Sequence, residues 1–131
     1  MAGHTAMARE HAELGLRLSP REMDLWLGDA YLALTQASFA EGDFAEAMKW
    51  GRLAIQMQAK APIRRALMVA SCAYTGDLAE AAHHAKELRA FSPDFLPAIF
   101  RGDLALYKMP EHNSLLLEGL RKARLAKQDV Q

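Results

Sequence analysis

The sequence predicts an all-α protein, a right-handed solenoid of about seven helices stacked as helix–turn–helix units. Three observations carry this. A six-residue phrase occurs twice, as Gly42-Asp43-Phe44-Ala45-Glu46-Ala47 and Gly76-Asp77-Leu78-Ala79-Glu80-Ala81, 34 residues apart and identical at five positions. A fixed period of this length marks helical hairpins that bury their apolar faces only against a neighbour. The composition is 51% hydrophobic and 24% charged, with alanine and leucine dominant, which favours helix over strand. No stretch alternates apolar and polar residues as a half-buried strand would.

The chain of 131 residues reads as one domain. Residues 5–18 form an amphipathic helix with Met7, His11, Leu14 and Leu18 on one stripe. Ser19-Pro20-Arg21-Glu22 starts the next, with Ser as cap, Pro in the first turn and Glu22 closing the box. That long helix runs to about Glu41 through Met23, Trp26, Leu27, Tyr31, Leu34 and Phe39, and a third spans Asp43 to Gln58, the pair forming a long repeat over 20–58. Ala61-Pro62 opens a fourth helix ending at Gly76 and containing Leu67, Met68, Ala70, Cys72 and Tyr74. A fifth runs from Asp77 to Phe91, which completes a regular repeat over 62–91. Ser92-Pro93-Asp94 repeats the Ser-Pro boundary. A sixth helix from Phe95 to Met109 and a last one from Glu111 to Ala126 complete the final pair over 93–126, leaving 127–131 as a frayed tail.

The repeated phrase has a local meaning. Each Gly ends a helix in a left-handed turn. Each Asp caps the next helix, and Glu46 and Glu80 stand three residues on, where they can close a capping box.

These positions resemble the tetratricopeptide repeat family. With Gly76 at that family's turn, Ala81, Ala85, Leu88 and Pro93 fall on its small, aromatic, second small and proline positions, with Ala85 in place of the aromatic residue. Ala47, Gly51 and Ala54 match in the preceding unit. Ala8, Ala12, Gly15 and Pro20 match in an orphan second helix, whose missing partner is expected to be lost or supplied by another subunit. Gly102 falls near the Leu-Gly site of a third unit. The Trp26 helix is longer than the family norm. The Leu-Ser-Pro start of the long helix, the Gly-Asp-Phe-x-Glu-Ala turn and the ending Leu116-Leu117-Glu118-Gly119-Leu120-Arg121-Lys122-Ala123 are also similar to the C-terminal repeat region of bacterial adenylate or guanylate cyclases and transcriptional activators. These residues carry neither effector domain, so the resemblance implies a sensing or interaction module and not a cyclase.

The family resemblance implies a concave groove lined by the first helices. Its positions here are Gln36 and Phe39, then Ile63, Ala66, Ala70, Ala73 and Tyr74, then Pro97, Phe100, Arg101, Leu104, Tyr107 and Lys108. The Lys/Asn/Arg set with which some members hold a terminal carboxylate is replaced by Ala, Phe and Leu. An apolar groove with aromatic anchors and a basic edge suits a helical or apolar peptide, or a second copy of the chain. The expectation is therefore a non-enzymatic protein–protein interaction module, a scaffold, with a regulatory or sensor module holding a small ligand as the alternative. A last helix that folds back into the groove would close it.

Other classes are disfavoured. Lys and Arg number 16, as do Asp and Glu, so no net field attracts nucleic acid or an anionic membrane. The single cysteine, Cys72, allows no internal disulfide and fits a reducing compartment. Without a signal-peptide pattern or a membrane span, cytoplasm is the expected location. Adjacent His83 and His84 diverge around a helix, whereas His84 with Glu80 and Glu87 has ligand spacing; a solvated polar face is expected, with no metal or cofactor. Cys72 has no Lys or His within a turn and reads as an inert buried thiol, which leaves no catalytic residue to name. Arg64-Arg65 and Arg121-Lys122 read as solvated faces.

Overall fold

The computed structural model describes residues 19–130, and of 125–130 the backbone alone. Among the described residues there are six helices and no strand: α1 (Pro20–Ala40), α2 (Phe44–Met57), α3 (Pro62–Thr75), α4 (Leu78–Phe91), α5 (Phe95–Phe100) and α6 (Pro110–Val130). The expected helix over 5–18, including Met7, Ala8, His11, Ala12, Leu14, Gly15 and Leu18, lies outside the described residues, as does the side chain of Leu125.

Three turns close alike. Gly42, Gly76 and Gly102 have φ of +82°, +84° and +81°. The amide of the following Asp reaches the carbonyl five residues back, Asp43 to Ser38, Asp77 to Cys72 and Asp103 to Ala98, at 2.9 Å each. This is Schellman closure, which satisfies carbonyls that the helix end orphans. Asp43 and Asp77 then cap α2 and α4 by accepting from the amides of Glu46 and Glu80 at 3.2 Å. The glutamates do not complete a capping box, because each Asp amide is already committed to the preceding helix. Glu46 instead accepts from Trp50 Nε1, and Glu80 from Arg52.

At Gly102 no helix follows. The expected helix to Met109 stops at Phe100, and residues 103–109 are irregular until Pro110 starts α6. The same closure that separates paired helices elsewhere truncates this one. Helix α6 runs to Val130, through residues expected to be a frayed tail.

Helices α1 to α4 pack in succession, each on the next, and α6 returns along α3 and α4. The core holds Phe39, Leu67, Met68, Leu88 and Leu116, all fully buried. Tyr107 ties the irregular segment to α1. Its hydroxyl donates to the Gln36 carbonyl at 2.8 Å. The Asn113 side chain accepts from the Tyr107 amide and donates to its carbonyl. No helix among the described residues is long and apolar enough to cross a membrane.

Candidate functional site

The groove expected from the repeat frame is occupied by α6. Gly119 lies so close to α3 that a Cβ on it would stand 2.8 Å from Ala70 Cβ and from Tyr74 Cε2. Ala66 and Ala70 are fully buried, Ala73 nearly so, and the Tyr74 hydroxyl donates to the Leu115 carbonyl at 2.6 Å. Burial raises the Tyr74 and Tyr107 hydroxyls above the ordinary phenol value. Phe39, with its ring fully buried, joins Phe44, Tyr74 and Tyr107 in one aromatic cluster, in which Phe44 and Tyr74 stack at 4.2 Å. Phe39, Ala66 and Ala70 are therefore internal, Tyr74 and Tyr107 are half-buried with their hydroxyls bonded within the protein, and Gln36 is half-buried with its carbonyl accepting from Tyr107. The physical reason is that α6 offers Leu116 and Leu120 to an apolar face that would otherwise meet water. Ile63 stands exposed in the first turn of α3. Leu104 and Lys108 are exposed on the segment before α6.

Phe100 and Arg101 have a different setting. With Pro97 they help to wall a cleft of about 380 Å³ between α4, α5 and α6, floored by Val69. Its apolar walls are Ala82 and Ala85 from α4, Leu96 and Phe100 from α5, and Leu120 and Ala123 from α6. Its charged lining is Arg89, Arg101 and Arg124, and none of the lining residues is acidic. Arg101 pairs with Asp103 at 2.9 Å. Arg124 lies over the Phe100 ring, 5.4 Å from its centroid. Arg89 Nη1 is buried without a hydrogen-bond partner among the described residues. Leaving a buried donor unpaired costs about 1–3 kcal/mol, and more where it is charged. Arg89 and Arg124 were not among the sequence candidates. Their signal is one of spacing: Ala82, Ala85 and Arg89, like Leu120, Ala123 and Arg124, form small or apolar stripes that end in arginine.

A second cluster holds Cys72, Glu80 and His84, whose ligand atoms lie within 4.8 Å of one another. His84 is buried, which corrects the expectation of a solvated face; His83 is exposed. Arg65 Nη1 stands 2.8 Å from His84 Nδ1. A guanidinium only donates, so Nδ1 accepts and the neutral ring carries its proton on Nε2. Glu80 Oε1 is 3.6 Å from Nε2, too long for a good hydrogen bond. Burial, and then the Arg65 charge, hold the His84 pKa below its ordinary value. Arg52 grips Glu80 through Nε and Nη2 at 2.9 and 2.7 Å, which depresses that carboxyl to about 2. Burial pushes the Cys72 thiol up to about 12. Within the protein, His84 Nδ1 accepts from Arg65 and the Glu80 carboxylate is held by Arg52, with the buried Cys72 thiol beside them. With Arg52, the cluster joins α2, α3 and α4.

Arg64 and Arg65 are likewise buried and not solvated. Arg64 Nη1 donates to the Ala54 carbonyl at 2.7 Å, and Arg65 Nε to the Ala59 carbonyl at 3.1 Å. Helix α2 has no basic residue in its own last turn, so cations from α3 serve its C-terminal end. Arg121 and Lys122 are exposed as expected. Compared with protein-family models, curated proteins and solved structures, the chain matches none.

Proposed function

We propose that this chain is a non-enzymatic interaction module, a tetratricopeptide-like solenoid closed by its last helix, which binds an apolar segment of a protein partner. The observation that supports this reading is the apolar cleft at the α4–α5–α6 junction, lined by Arg89, Arg101 and Arg124. Apolar walls with few charged groups suit anchor side chains from a partner, and Arg is frequent where such contacts carry the affinity. Of the clustered groups Cys72, Glu80 and His84, Glu80 is held by Arg52 and His84 by Arg65. A second copy of the chain is a candidate partner on the same surface.

The test combines light scattering with affinity capture from the native host. Wild type should retain a partner or self-associate, and Phe100→Glu should lose that interaction with helicity unchanged. Phe100 suits this purpose better than Tyr74, whose place under α6 ties its substitution to folding. A strict monomer that captures no protein would sink the proposal. The alternative, a regulatory module with a small-ligand site, is favoured by one feature. A cleft of about 380 Å³ is within the size range of small-molecule pockets.

A further inference from the structure

The cleft walled by Leu96, Phe100 and Leu120 has a chemical bias that goes beyond binding in general. Arg89 lines these walls, its Nη1 buried without a hydrogen-bond partner among the described residues, and Arg124 stands over Phe100. No carboxylate pairs with either arginine among the described residues. We infer that the cleft binds a small amphipathic carboxylate, its apolar tail between α5 and α6 and its head on Arg89 and Arg124. This inference rests on the non-catalytic binding reading, in its small-ligand form.

Three arguments converge on that class. A planar carboxylate matches the guanidinium fork, and the cleft is lined by arginines with no acidic residue among them. The apolar walls favour a tail, and a monoanion is cheaper to desolvate there than a phosphate dianion. At about 30 Å³ per water-sized group, the cleft holds about a dozen non-hydrogen atoms, the size of a medium-chain carboxylate. Arg101 is already paired with Asp103 and exposed, so it contributes to the mouth and not to the head site.

Isothermal titration of the full chain with decanoate, kept below its micelle concentration, tests this against 1-decanol and decyl phosphate. Decanoate should bind at least tenfold more tightly than decanol. Arg89→Met should remove that preference, weakening decanoate at least tenfold more than decanol. Ala82→Trp, at an exposed wall position, should weaken both ligands by obstructing the tail. Circular dichroism reports whether each variant stays folded. The inference is overturned if decanoate gives no binding, if decanol equals it, if decyl phosphate binds more tightly, or if folded Arg89→Met keeps the preference. Because the assay uses purified protein and a small anion, its failure leaves partner capture as a separate result.

Discussion

His84 shows how one residue links burial to a measurable response. Its neighbours divide by sign: Arg65, Arg52 and His83 on one side, Glu80 on the other, with the neutral Cys72 thiol beside them. Burial and Arg65 prevail over the distant Glu80 oxygen, so the folded protein favours the neutral ring. As pH falls through the ordinary histidine value of about 6.5, the unfolded chain takes up a proton before the folded site does. Stability from this site is therefore complete above about pH 6.5 and is lost as pH drops towards the lower folded pKa. Glu80 acts further down: its carboxylate contribution is present above about pH 4.3 and is lost between there and its folded value of about 2. The partial exposure of the Arg52–Glu80 pair keeps that second contribution small. Urea melts at pH 7.5 and 5.5 should show wild type losing stability on acidification, by at most about 1.4 kcal/mol from this site. In His84→Gln the amide oxygen can still accept from Arg65 without titrating, so that loss should shrink. A wild type equally stable at both values would refute the assignment.

At the scale of elements, Gly119 decides how α6 meets α3. A glycine inside a helix costs about 1 kcal/mol relative to alanine, so propensity alone predicts that Gly119→Ala stabilises. The structure predicts the opposite. The added methyl would stand 2.8 Å from Ala70 Cβ and 3.1 Å from its Cα, neither of which can swing aside. Overpacking of this kind costs about 1–3 kcal/mol and here falls on backbone, so a net loss of about 1–2 kcal/mol is expected in thermal or urea melts. Stabilisation would mean that α6 does not approach α3 this closely. The contrast also shows where the sequence was legible. The Gly-Asp turns at 42 and 76 could be read because capping chemistry is local. The same dipeptide at Gly102-Asp103 carried the end of α5, yet Leu104, Leu106 and Tyr107 extended the apolar pattern past it and suggested a helix to Met109. Arg64, Arg65 and His84 looked solvated because their partners, the Ala54 and Ala59 carbonyls and each other, are brought in by neighbouring helices, which periodicity does not report.

For the molecule as a whole, the return of α6 changes what kind of object the helices make. In a linear array each unit touches only its neighbours, so damage at the end stays at the end. Here the hydroxyl of Tyr74 in α3 is bonded to Leu115 in α6, and Leu116 and Leu120 share one core with Phe39 and Leu67. The cleft depends on the same closure, since Leu120, Ala123 and Arg124 form its α6 wall. The helices and the apolar stripe of α6 were legible; which face that stripe would cover was not, because several apolar faces were equivalent in the pattern. The closed arrangement makes a specific prediction for Leu116→Ala. Truncating this fully buried side chain should cost about 2–5 kcal/mol, the range for a leucine that leaves a cavity. Native-state hydrogen exchange then separates the two architectures. If α6 and α3 form one cooperative unit, amides around Ala66 to Tyr74 should lose protection in parallel with those around Leu115 to Leu120. If the last helix merely caps the end of an array, exchange should accelerate in α6 alone, and α3 should keep its wild-type protection.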